Sequence, residues 1–137
     1  MITVLLADDH EMVRDGLRFL LEAAGDIQIV ALASNGEEAL DKAILLRPDV
    51  AIIDVSMPPL NGIEAAKQIH TQCSQTHVLM LSMLRHPEHI QRSIQAGALG
   101  YILKDEAGND LVAAVRMVSK GNRYFSQEVT EIAERYI

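Results

Sequence analysis

One cysteine, Cys73, and no tryptophan occur in the 137-residue chain. A lone thiol cannot close an internal disulfide, so the fold must rest on its core, as suits a reducing compartment. Aromatic residues are scarce, three Tyr and two Phe, too few for a platform on which bases stack. Basic residues are outnumbered, 12 Lys+Arg against 19 Asp+Glu for a formal charge of −7. Phosphate backbones need a basic face, and no three basic residues adjoin, which argues against direct nucleic-acid binding. No apolar run approaches the ~18–20 residues of a membrane span. The N-terminal stretch before Asp8 lacks the basic region and the length of a signal peptide. The expected setting is the cytoplasm, without membrane contact.

What is present is an ordinary globular balance, 49% hydrophobic and 23% charged residues, which excludes disorder and collagen-like repeats. Two hydrophobic periods alternate along it. Short apolar runs, mostly rich in Val and Ile, at Ile2–Ala7, Ile27–Ala33, 50–53, 78–81 and 101–103 read as strands buried on both faces. Helical stripes lie between them: Val13, Leu17, Leu20, Leu21 and Ala24, stopped by Gly25; Leu40, Ala43 and Ile44, ended by Pro48; Ile63, Ala66 and Ile69; Ile90 and Ile94, opened by Pro87; and Leu111, Val115 and Val118. Five strands alternating with five helices predict a doubly wound α/β domain, a five-stranded parallel sheet of flavodoxin-like kind over residues 1–120. Beyond it, Ser126 is placed as an N-cap for a stripe of Val129, Ile132, Ala133 and Tyr136. That stripe can fold back on the domain, form a dimer seam or lead into a further domain. The last is the favoured reading.

In an open parallel sheet, functional groups gather beyond the carboxyl ends of the strands. Those positions hold Asp8 and Asp9 after strand one, Asp54 after strand three, Ser82 after strand four and Lys104 after strand five. Each alone could be a cap, a turn or a solvated side chain; together they form a set. Three close carboxylates repel unless one is protonated or a cation holds them. All-oxygen donors with room for water favour Mg²⁺. A metal with open positions, an ammonium and a hydroxyl equip a site to move a phosphoryl group. The nucleophile is then a carboxylate forming an acyl phosphate, and Asp54, alone at the centre of the set, is the best placed.

The acidic pair in Leu6-Ala7-Asp8-Asp9-His10, the segment Ile53-Asp54-Val55-Ser56-Met57-Pro58 followed by Asn61-Gly62, Met80-Leu81-Ser82, and Gly100-Tyr101-Ile102-Leu103-Lys104 resemble the receiver domain of two-component response regulators. The resemblance covers residues 1–120. It implies that Asp54 accepts a phosphoryl group from a phosphohistidine on a sensor histidine kinase. It further implies that Asp9 binds Mg²⁺ directly, Asp8 largely through water, with Asp54 and the Ser56 backbone carbonyl completing the protein ligands. Ser82 and Lys104 would contact phosphoryl oxygens, and Tyr101 would be the switch aromatic, turning inward as Ser82 moves toward the phosphate. The implied protein is a switch rather than an enzyme, with only self-phosphorylation and self-dephosphorylation at Asp54.

Gly121-Asn122-Arg123-Tyr124-Phe125-Ser126 resembles the start of the linker in NarL/FixJ (LuxR-type) regulators. Residues 121–137 are therefore read as linker and C-terminal helix leading to a helix-turn-helix output domain that this chain does not contain. DNA would be bound only through that domain, and transcription is the implied output. Three positions depart from the commoner pattern: Asp105 where many receivers have proline, Asn61 where Asp is frequent, and Ser82 for threonine. Two alternatives are weighed against the switch. One is an unphosphorylated receiver-like interaction module. The other is a Mg²⁺-dependent phosphohydrolase, whose Asp-x-Asp motif strand one lacks.

Smaller features receive plainer readings. His86 and His89 are solvated surface, and His10 is a polar neighbour of the acidic pair. Met80 and Met83 are packing residues. Arg85 and Arg92, read as helix-four residues, face Asp105, Glu106 and Asp110, charges that a phosphorylation-dependent homodimer could pair across its axis and that ordinary solvated faces explain equally well.

Overall fold

The computed structural model describes residues 1–58 and 61–137. The five expected strands all form: β1 (Ile2–Ala7), β2 (Ile27–Ala33), β3 (Val50–Asp54), β4 (His77–Ser82) and β5 (Gly100–Leu103). Helices α1 (Glu11–Glu22), α2 (Gly36–Leu46), α3 (Gly62–Gln72), α4 (Pro87–Gln95) and α5 (Ala107–Ser119) alternate with them. Several helix boundaries have a local cause. Asn35 and Asn61 side chains cap α2 and α3, accepting the backbone N–H of Glu38 and Glu64 at 2.8 and 2.9 Å, each worth about 1 kcal/mol. Pro87 occupies the first turn of α4, where its missing N–H costs nothing. Arg47 ends α2 in the left-handed region at φ 46°, and Pro48 follows it.

The sheet has six strands rather than five, in the order β2-β1-β3-β4-β5-β6, all pairs parallel. The added strand, β6 (Tyr124–Phe125), pairs with Gly100 and Tyr101 of β5. Two residues carry no readable period, so nothing in the local pattern marks them. Their trace lies instead in Gly100, where a Cβ would stand 2.4 Å from the Tyr124 carbonyl oxygen. Beyond β6 runs α6 (Gln127–Ala133).

Val50–Asp54 is buried along its whole length, as befits a central strand covered on both faces. One face carries α1 and α5 through Leu21, Leu111, Ala114, Val115 and Val118. The other carries α2, α3, α4 and α6. Burying each Val, Leu or Ile side chain there contributes roughly 1.5–3 kcal/mol. The α6 stripe folds back: Val129 and Ala133 are buried in the same cluster as Ile90 of α4 and Tyr101 of β5. Ser126 stands at the N-cap position, but its side chain does not cap α6; its hydroxyl accepts the Leu103 N–H at 3.0 Å. Among the described residues, no helix is long and apolar enough to cross a membrane.

Candidate functional site

The chain runs outward from β1 to β2 in one direction and from β1 through β3, β4 and β5 in the other. A crevice opens at that reversal, beyond the carboxyl ends of β1 and β3. Asp8 follows β1 and Asp54 ends β3; both carboxylates are buried, at 0% and 2% exposure. The close approach of α3 shapes the crevice floor. Gly62 donates its N–H to the Val55 carbonyl at 2.9 Å, and a Cβ on it would fall 1.8 Å from the Asp54 carbonyl oxygen. Glycine at 62 thus lets the start of α3 stand against the backbone of Asp54.

Lys104, in the 3₁₀ turn Lys104–Glu106 after β5, reaches back across the crevice. Its Nζ donates to Asp54 Oδ2 at 3.0 Å and lies 2.8 Å from Asp8 Oδ2. The second contact is as short as the first, so the two carboxylates compete for the same nitrogen. The Ser56 backbone N–H donates to Asp54 Oδ1 at 3.2 Å. Asp8 Oδ1 accepts the His10 N–H at 2.9 Å. One ammonium therefore serves two buried carboxylates.

Burial pushes the Asp54 carboxyl above the usual carboxylate range, aided by the Asp8 charge and opposed by Lys104 and the Ser56 N–H. Burial also works to lower the Lys104 pKa, but Asp8 and Asp54 outweigh it and the net shift is upward. A second cation entering the crevice would relieve both carboxylates, since opposite charge nearby favours the ionised form.

Asp8, Asp9, His10 and Asp54 each offer a donor atom, all within 4.8 Å of one another. Three carboxylates with a single ammonium among them fit a hard divalent cation. The His10 imidazole joins them, with Nδ1 3.3 Å from Asp8 Oδ1 and 3.1 Å from Asp9 Oδ1. This agrees with the reading of His10 as a polar neighbour of the acidic pair, and adds that its ring stands within contact of both carboxylates. His86 and His89 stay apart from this group, their rings edge to face at 5.8 Å.

Ser82 is buried at the end of β4, its Oγ accepting the Leu84 N–H at 2.9 Å. Tyr101 is fully buried, and its hydroxyl donates to the Leu84 carbonyl at 2.6 Å. Leu84 thus joins Ser82 and Tyr101, a link with no signature in the sequence. Arg85 precedes α4, in the loop rather than on the helix, and is already paired within the chain to Asp105 and Glu128. Its charge is accordingly committed within the chain.

The family model for the response regulator receiver domain matches residues 4–116. The chain is 41% identical over 129 residues to the transcriptional regulatory protein LiaR of Bacillus subtilis (strain 168), a match covering 94% of this chain and 61% of LiaR. It thus spans about six-tenths of the length of that relative. A LuxR-family two-component response regulator from Aurantimonas sp. SI85-9A1 superposes with TM-score 0.91 at 28% identity, covering 97% of this chain and 95% of that one. The signal receiver domain of NarL from Mycobacterium tuberculosis gives 0.85 at 32% identity, covering 88% and 98%. With acids at the ends of β1 and β3 bridged by a lysine from beyond β5, this chain belongs to the family of response regulator receiver domains.

Proposed function

We propose that the chain is a phosphorylation switch in which Asp54 accepts a phosphoryl group from the phosphohistidine of a sensor histidine kinase. The observation that carries this reading is the shared ammonium. Two buried carboxylates share the single Lys104 ammonium, which leaves the crevice short of positive charge, and a divalent cation supplies it. Asp8, Asp9, Asp54 and the Ser56 backbone carbonyl are the residues that would hold Mg²⁺. When bound, the ion neutralises charge on the carboxylates and the transferring phosphoryl oxygens.

The chain's own groups supply the rest. Asp54 attacks as the ionised carboxylate; the bond from phosphorus to the imidazole nitrogen breaks as the bond to the carboxylate oxygen forms. Lys104 orients that carboxylate and balances the phosphoryl oxygens, and the Ser82 hydroxyl donates to one of them. Tyr101, inward and bonded to Leu84, then reads the position of the β4–α4 loop. The added charge of about −1.5 to −2 is enough to bias such a two-state element. The setting is the cytoplasm. The output is transcription, exerted on DNA through a helix-turn-helix domain following residues 121–137, with phosphorylation-dependent homodimerisation as a further step.

Intact mass after incubation with Mg²⁺ and a small acyl phosphate tests the reading. Wild type is expected to gain one phosphoryl group, to gain none when EDTA is added beforehand, and Asp54→Asn to gain none. A folded wild type that stays unmodified would overturn the switch and leave the interaction module.

A further inference from the structure

Arg85 lies one residue beyond Leu84, the point on which Ser82 and Tyr101 converge. Its guanidinium leaves the β4–α4 loop in two directions. Nη2 donates to Asp105 Oδ2 at 2.8 Å, and Nε donates to Glu128 in the first turn of α6. The start of α6 is stitched separately to β5: the Ser126 N–H donates to the Tyr101 carbonyl at 3.1 Å, and its hydroxyl accepts the Leu103 N–H. Val129 and Ala133 complete the attachment by burial beside Ile90 and Tyr101. The loop, the switch aromatic and α6 therefore form one connected unit.

Charge makes Arg85 the critical link in it. Asp105, Glu106, Asp110 and Glu128 crowd this flank, and the Glu106 carboxyl is pushed up by lost hydration and by Glu128, Asp110 and Asp105. Single half-exposed ion pairs contribute little. A cation shared between two elements does more, because moving it away leaves like charges facing each other across the gap between the 3₁₀ turn and α6.

We propose that Arg85 is the positioning residue through which the phosphoryl state of Asp54 sets the docking of α6. The proposal rests on the reading of Asp54 as phosphoacceptor. The Ser82 hydroxyl has one proton to donate and lone pairs to accept, so it can donate to a phosphoryl oxygen while retaining the Leu84 N–H. A phosphoryl oxygen bonded to Ser82 thereby restrains Leu84 in its present place, and Arg85 with it. The conformation in which Tyr101 is buried and bonded to Leu84 is the one in which Arg85 meets Glu128. Phosphorylation, by favouring that loop conformation, tightens α6 against α4 and β5.

Hydrogen exchange of the α6 amides, with and without Mg²⁺ and beryllofluoride as a phosphoryl stand-in, tests this, while fluorine NMR reports whether the site is filled. In wild type, filling the site is expected to slow α6 exchange about tenfold. In Arg85→Gln the two states should agree within about twofold although beryllofluoride still binds, and Arg85→Lys should recover part of the response. A merely structural Arg85 would speed exchange equally in both states and leave their ratio intact. Wild-type α6 exchange that is unchanged or faster with the site filled overturns the proposal, as does a full response in Arg85→Gln. Failure of wild type to bind beryllofluoride through Asp54 would instead strike down the phosphoacceptor reading, and the coupling with it.

Discussion

Where the strands begin, polar groups meet partners in matched numbers. Asp49 accepts both the N–H and the hydroxyl of Thr3, at 2.9 and 3.1 Å, and its own N–H donates back to that hydroxyl at 3.0 Å. Arg116 forks onto both oxygens of Asp26 at 2.9 and 3.0 Å, and the buried Thr76 hydroxyl donates to the Pro48 carbonyl. Where the strands end, the buried Asp8 and Asp54 share one lysine. Both edges are built from carboxylates, cations and hydroxyls. Matched polarity ties strands to their neighbours, whereas unmatched polarity stores a demand that a ligand can meet, at some cost to stability.

The contrast is broken most severely at Lys104. Lys104→Met leaves two buried carboxylates without a cation and is expected to lower the unfolding free energy by about 3 kcal/mol at neutral pH, measured by urea titration. The loss should shrink when Mg²⁺ is added, and again as acid protonates the carboxyls. In wild type the Lys104 contribution holds through neutral pH. It should fade only as pH rises through its folded pKa, above the ordinary 10.5.

Asp54→Asn has the opposite sign. The folded pKa of Asp54 is raised, so folding favours its protonated form and the ionised form burdens the native state above that pKa. Removing the charge is expected to add about 1 kcal/mol at neutral pH. The gain should vanish as pH falls below the ordinary carboxylate value of 3.8. Thermal melts of both proteins across that range check the sign; a destabilised Asp54→Asn would mean that its pairing with Lys104 outweighs its burial.

At the matched edge the effects are plain losses. Asp49→Ala should cost about 1 kcal/mol, with no dependence on Mg²⁺, which separates this edge from the other. Arg116→Gln should move the melting midpoint least. Whatever change it makes should disappear in high salt, because the Asp26 pair is exposed and screened.

Much of this was legible beforehand, for identifiable reasons. β1 and β2 have the bounds their apolar runs suggested, and β3 gains only Asp54 at its end, since strands buried on both faces leave unbroken Val/Ile runs. Asp8, Asp54 and Lys104 were expected at one edge because alternation of strand and helix forces parallel strands, which bring every carboxyl end to one side. The sixth strand was not legible, since two residues have no period. Nor was the role of Leu84 as the hub of Ser82 and Tyr101, because it acts through its backbone N–H and carbonyl, which every residue possesses. Arg85 looked free to meet a second copy. Its partners stand 20 and 43 residues away, at distances that no local pattern encodes.

Hydrophobic period, caps and the types of residue at strand ends are local properties, and by themselves they determined the layered fold, the starts of α2, α3 and α4, and the chemical inventory of the crevice. Which groups are matched and which are left wanting depended on tertiary structure alone. A shared lysine, an imidazole drawn toward two acids, an inward tyrosine and an arginine spanning loop and helix are decided by angles and ångströms between segments far apart in the chain. Electrostatic and hydrogen-bond energies fall steeply with distance and alignment, and only the packed sheet sets those.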